Sequence, residues 1–262
     1  MSFGFLEKGS GPPLVLLHGI GSAARSFQAQ IDGLSDRWRV VAWDAPGYGP
    51  SEALPSAHPD AGDYAAALER LLAERAIDSC HLLGHSLGCL IAARFAARHP
   101  TRVLSLSLCS IAAGHARLAA DERDRLRDQR LGDLATLGAR GMAEKRAPRL
   151  LGPAAPPEAL ARVIDTLSAV RPDGYGQAAR MLSTGDILPD IDALPASLPG
   201  QVVYGDADVV TPPARNLAVA AAWPHAEVHV VPGAGHALYV EQPLAFNALL
   251  VDFLGRLTRS AT

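Results

Sequence analysis

Short runs of consecutive apolar residues alternate along this chain with longer stretches in which apolar residues recur every three or four positions. That alternation constrains the fold more than any other feature, because it is the pattern of parallel strands joined by crossover helices. The strand candidates are residues 14–17, 40–43, 81–83, 103–109, 201–204 and 228–231. Most are apolar at successive positions, as strands covered by helices on both faces require. Residues 64–76, 87–98, 214–223 and 244–257 read as helices. The last carries Phe246, Leu249, Leu250, Phe253 and Leu254 as one core-facing stripe. The expected fold is α/β, with a mostly parallel central sheet and helices on both faces.

The alternation stops between residues 114 and 194. Residues 121–130 are nearly all charged, with mixed sign, and read as a solvated helix face. Residues 146–158 are rich in Pro and Gly, and 159–170 are helical in pattern. No strand-like run interrupts them. The organisation expected is a core of residues 1–113 and 191–262 with a helical lid, 114–190, inserted into it.

Composition narrows the function classes. A chain of 262 residues can bury a core without disulfide or metal staples. Its net charge of −3 argues against nucleic acid or an acidic membrane surface as partner. The first eight residues lack the basic and apolar parts of a signal peptide, and no apolar run approaches the ~20 residues of a membrane span. A cytoplasmic protein is expected, with Cys80, Cys89 and Cys109 as reduced, buried thiols.

Two motifs compete for the chemistry. Gly19-Ile20-Gly21-Ser22-Ala23-Ala24 fits the G-x-G-x-x-A turn of a dinucleotide site, with Asp44 ending the next strand where a ribose-binding acid would stand. Such glycine-rich turns also arise for steric reasons alone. Gly84-His85-Ser86-Leu87-Gly88 is a G-x-S-x-G between a strand and a helix. A serine on so sharp a turn adopts strained backbone angles, and the flanking glycines remove Cβ clashes. Its hydroxyl then stands at the carboxyl edge of the sheet, over a helix N-terminus that favours negative charge.

A nucleophilic serine needs a base, and the base an orienting acid. Asp208 follows the 201–204 strand and His236 follows the 228–231 strand, both at carboxyl ends where open α/β sheets place their sites. Asp208 is preferred to Asp206 because it lies deeper in the loop and precedes the turn at 209–213; Asp206 is left to bond within that turn. Asp44 precedes the serine and breaks the expected order of serine, acid and base. His18 reads as a structural turn residue, and His85 is held by the elbow, out of reach of Ser86 as a base. With no H-E-x-x-H or C-x-x-C, no metal site is expected.

These residues together resemble the α/β-hydrolase superfamily. His18-Gly19 looks like its oxyanion-loop dipeptide, and residues 44–51 look like its D-x-P-G-x-G-x-S loop. Residues 84–88 resemble the nucleophile elbow, Asp208 sits in a G-D-x-D-x-x-x-P acid loop, and His236 in a G-x-G-H base loop. The resemblance covers residues 3–113 and 191–257. It turns the dinucleotide pattern into a false positive and implies Ile20 and Leu87 as backbone donors of an oxyanion hole. Arg171-Pro172-Asp173-Gly174-Tyr175 and the insertion are similar to lid-bearing carboxylesterases and enol-lactonases.

The resemblance implies a serine hydrolase acting on a small carboxylic ester or lactone through an acyl-enzyme, with no cofactor, as a monomer or homodimer. The alternative on the same triad is a C–C bond hydrolase of aromatic ring-fission products, although His85 and Ala237 stand where those enzymes carry Asn and Trp. A ligand receptor retaining a slow triad, and a dinucleotide oxidoreductase, are the readings from other classes. Met142, Tyr175 and Met181, with Leu150, Leu151 and Leu182, are the candidate acyl pocket in the lid. Arg146, Arg149 and Arg180 are the candidate partners of a substrate carboxylate. With only residues 3–6 left for the usual N-terminal hairpin, the first strand is expected to be missing.

Overall fold

Alternation of side chains along the strands divides the core into two layers. Leu14 and Leu16 point into one layer and Val15 and Leu17 into the other, and all four are buried. The computed structural model describes residues 1–259. Its strands are β1 (Phe5–Lys8), β2 (Pro13–Leu17), β3 (Arg39–Trp43), β4 (Cys80–His85), β5 (Val103–Cys109), β6 (Gly200–Gly205) and β7 (Ala226–Val231). They form one seven-stranded sheet in the order β1-β3-β2-β4-β5-β6-β7. Only β1 runs antiparallel, along β3; every other pairing is parallel.

Helices cover both faces. On one side α1 (Gln28–Leu34) and α10 (Pro243–Arg259) bury Ile31, Leu34, Phe246, Leu250 and Phe253 against Leu14 and Leu16. On the other, α2 (Ala61–Glu74), α3 (Leu87–Arg98) and α8 (Pro213–Ala222) bury Leu68, Leu71, Ile91, Phe95 and Val219 against Val15 and Leu17. The six strands read from apolar runs are all present. The first strand, expected to be missing, is present: β1 lies at 5–8 on the sheet edge, with every second residue exposed, held by its pairing with β3. No described helix is long and apolar enough to cross a membrane. All three cysteines are free and buried.

The strand order makes a switch point. From β3, on one side of β2, the chain crosses to β4 on the other, so the loops after β2 and β4 leave in opposite directions. Such a crevice at the carboxyl ends is where open α/β sheets bind ligands. β2 and β4 pair as far as Leu17 with Gly84, and β4 and β5 as far as His85 with Cys109.

Between β5 and β6 the chain makes a helical lid insertion: α4 (Ala120–Arg146), α5 (Pro157–Leu167), α6 (Pro172–Thr184) and the short α7 (Leu188–Asp192). α4 is broken at Gly138. Pro172 begins α6, and Arg171 before it is extended, as a residue preceding proline must be. Two seams fasten the lid. Gln177 on α6 exchanges hydrogen bonds with Leu54, and Arg171 donates to the carbonyls of Gly49 and Ser51. Glu241, in the single turn α9 (Leu238–Glu241), accepts from the N–H groups of both Gly152 and Gly235.

α3 crosses β2 in close contact beside the crevice. A Cβ at Gly88 would run into the Leu17 carbonyl, and backbone cannot step aside. On helix propensity alone Gly88→Ala would gain about 1 kcal/mol. We expect it to lose about 1–3 kcal/mol instead, as overpacking does. At Gly132, on α4, an added Cβ would meet nothing within 4 Å, so Gly132→Ala should gain up to about 1 kcal/mol. Urea unfolding of the two variants checks the opposite signs.

Candidate active site

Ser86 sits between β4 and α3 with φ +53° and ψ −116°, a left-handed conformation costly for a residue with a side chain. Its backbone is held on both sides. The Ser86 N–H donates to Cys109 O at 2.9 Å, and its carbonyl accepts from Cys89 N at 3.0 Å and Ala112 N at 3.3 Å. A Cβ at Gly84 would lie 2.5 Å from Gly88 O, so the turn closes only with glycine there.

The loop after β6 carries Asp208, buried at 2% exposure. One carboxylate oxygen accepts from the N–H groups of Val210 and Thr211, both at 2.8 Å. The other accepts from Thr211 Oγ1 at 2.7 Å and lies 2.9 Å from His236 Nδ1. Burial alone would raise the Asp208 pKa, but these donors, the imidazole first among them, hold it down at about 2. Asp206 is exposed and accepts from Gly233 N–H at 2.6 Å, so it ties the start of the base loop rather than facing the ring. Asp208 is the aspartate paired with His236.

His236 and Ser86 both line a cavity of about 700 Å³ at the switch point. The described hydrogen bonds include none between Ser86 Oγ and His236; what the two share is the cavity wall. Ile20 also lines it, and its N–H has no partner among the described hydrogen bonds. Leu87 starts α3, where N–H groups lack an intrahelical acceptor, while its side chain is buried in the core.

Two further histidines beside the serine are occupied. His18 Nε2 accepts from Ala45 N–H at 3.0 Å, which places its proton on Nδ1, 2.8 Å from Gly19 O. Burial lowers its pKa and keeps the ring neutral. His85 Nε2–H donates to the His236 carbonyl at 2.8 Å, and its ring packs 5.0 Å from the His236 ring and 4.7 Å from that of Tyr239. Burial pushes it down to about 3, so it clamps the base loop without adding charge. Asp44 spends one carboxylate oxygen on Ala24 N–H at 2.8 Å, closing the 19–24 turn. That use accounts for the acid that the dinucleotide pattern would have assigned to a ribose.

The lid wall corrects part of the expected pocket. Tyr175, Leu150 and Leu182 line the cavity. Met142 and Met181 do not; both are fully buried in the main core cluster, where they fill space within the lid packing. Arg146 is taken by Asp133 at 2.5 Å, Arg149 lines the cavity, and Arg180 lies off it. Four side chains escaped the sequence reading: Thr211, Asn216, Tyr239 and Glu241. Asn216 accepts from Ile111 N–H and donates to Thr211 O, bracing the acid loop. Thr211 had a usable signal, standing three residues after an acid in a turn. The other three depend on contacts between distant segments. No group of three His, Cys, Asp or Glu that could hold a metal occurs among the described residues.

Known proteins share this fold. The chain is 30% identical to a pimeloyl-[acyl-carrier protein] methyl ester esterase of Aeromonas hydrophila, over 97% of this chain and all of that one. A thermophilic esterase from Thermogutta terrifontis superposes with a TM-score of 0.87 at 27% identity, covering 97% of this chain and 93% of the other. The enol-lactonase of Burkholderia xenovorans shares the fold at a TM-score of 0.85 and 24% identity, over 97% and 96% of the two chains. The family model described as the alpha/beta hydrolase fold matches residues 12–243, and the chain belongs to that family.

Proposed function

We propose that the protein is a serine hydrolase of small carboxylic esters or lactones, with Ser86 as nucleophile, His236 as base and Asp208 as the acid that orients it. One observation carries this most: a serine in a strained turn and a histidine paired with a buried carboxylate line one cavity. The esterases among its relatives support the reaction class.

His236 Nε2 takes the Ser86 proton as Oγ attacks the substrate carbonyl. Asp208, ionised down to about pH 2, holds Nδ1–H and stabilises the imidazolium. The carbonyl oxygen becomes an oxyanion, met by the N–H groups of Ile20 and Leu87; one such donor is worth about 3 kcal/mol. The imidazolium then protonates the leaving alcohol, leaving an acyl-Ser86. Water enters, gives its proton to His236, and releases the acid as Ser86 recovers its own. Keeping His85 and His18 neutral leaves the positive charge of the intermediate on His236 alone.

A fluorophosphonate probe should label the wild type and not Ser86→Ala, with para-nitrophenyl acetate hydrolysis lost in parallel. Labelling that persists in Ser86→Ala would assign the nucleophile elsewhere. Asp208→Asn should lower kcat by about 10⁴-fold with KM little changed, since the amide cannot stabilise the imidazolium. Thr211→Val removes a donor to Asp208 Oδ2. Without it the Asp208 carboxyl should titrate above its wild-type value of about 2, and kcat/KM should fall about tenfold; Thr211→Ser should restore both.

A further inference from the structure

The cavity carries a charge opposite to that of the chain. Seven basic and three acidic side chains line it, in a protein whose net charge is −3. Two of the three carboxylates are already used: Asp133 binds Lys145 and Arg146, and Asp165 binds Arg25. Glu122 is exposed and makes no ion pair with any arginine among the described residues.

Arg130 and Arg215 stand out among the basic side chains that remain. Neither has an ion pair or side-chain hydrogen bond among the described residues, although Arg130 is half-buried. They reach the cavity from different elements, Arg130 from the lid helix α4 and Arg215 from the first turn of α8, four residues after Thr211. Both guanidinium charges act on one ring, that of His115, which also lines the cavity. Burial and these two charges push His115 down to about 4, so at neutral pH it offers an N–H without adding a third positive charge. Two like charges converging on a neutral donor repel each other unless an anion lies between them. Arginine presents the forked donor geometry that such an anion accepts.

The place of this wall relative to the nucleophile follows from the chain. Ala112 N–H donates to the Ser86 carbonyl, and His115 is three residues further on. Three Cα steps span at most about 11 Å. An ester carbonyl at Ser86 and a charged group at His115 thus fit one medium-length substrate.

We infer that Arg130, Arg215 and His115 form an oxyanion subsite, and that the preferred substrate is an ester whose far end carries a carboxylate or a phosphate-type group. The inference rests on the serine-hydrolase reading for the position of the scissile bond, and it adds the substrate's charge.

The test compares three para-nitrophenyl esters of equal length: the hemiester of adipic acid, its neutral methyl diester, and the analogue ending in a phosphonate. The wild type should favour one or both anionic esters over the neutral one in kcat/KM. Arg130→Gln and Arg215→Gln should each lower kcat/KM for the anionic ester by about 10- to 100-fold, through KM, and leave the neutral ester within about twofold. Loss confined to the carboxylate or to the phosphonate tells which group the subsite takes. Equal rates on charged and neutral esters, or equal losses on both in the variants, would overturn the subsite while fluorophosphonate labelling at Ser86 keeps the hydrolase. If Ser86 is not labelled, calorimetry with adipate and with butylphosphonate on the Ser86→Ala protein still decides: binding of either that is lost in Arg130→Gln supports the subsite, and absence of binding by both refutes it.

Discussion

The site depends on one backbone constraint: Ser86 is held at φ +53° where the sheet and a helix meet. A left-handed serine costs about 1–3 kcal/mol wherever it is found. Here that cost is offset by structure that is already formed. β4 pairs on both sides, with β2 as far as Gly84 and with β5 up to His85, the residue before the serine. The Cys109 carbonyl takes the serine N–H, and α3 presses so closely on β2 that only Gly88 fits between them. Undoing the turn would mean undoing central strand pairings. The strain therefore persists in the native state and aims the hydroxyl at the cavity, clear of the core.

Charge in the crevice is managed by burial as much as by pairing. Three histidines crowd the carboxyl ends of β2 and β4 and the base loop, and desolvation lowers the pKa of both His18 and His85. Were either to protonate, it would oppose formation of an imidazolium at His236, since His85 lies 5.0 Å from that ring. Asp208 is the opposite case. Its donors outweigh desolvation, so the acid stays ionised beside the base. An ionised carboxylate paired with His236 and two neutral rings near it suit the role proposed for His236 as base.

What was legible in the sequence follows from the range of the forces involved. The β2, β4 and β5 runs are apolar at consecutive positions because both faces are covered, and that signature needs no knowledge of partners. The elbow was legible for a similar reason: Gly84, Ser86 and Gly88 answer to local steric demands. Asp208 and His236 could be chosen because strand ends bound where a loop residue can go. β1 was harder, since an edge strand of four residues buries little and leaves a weak pattern. Periodicity says that Met142 and Met181 are buried, but not whether they face the lid core or the cavity. Residues 121–130 show the same ambiguity in polar form. Glu122, Leu126, Gln129 and Arg130 repeat at helical spacing and line a solvated cavity, and such a wall has the composition of an outer surface.

The lid's hidden determinants are thus tertiary, and they also couple it to the chemistry. Glu241 bonds with one carboxylate oxygen to Gly152 in the lid and Gly235 beside the base. Ala237 N–H donates to Leu150 O at 2.7 Å across the same seam. The second seam, through Gln177 and Arg171, reaches the loop after β3, whose Ala45 N–H fixes the tautomer of His18. The lid therefore cannot swing as a rigid flap without disturbing the neighbours of His236 or of the Ile20 turn. The break at Gly138 divides α4 ahead of both seams in the chain. Arg130 stands on the segment before that break, outside both seams, where an anion bridging it to Arg215 on α8 would draw lid and core together.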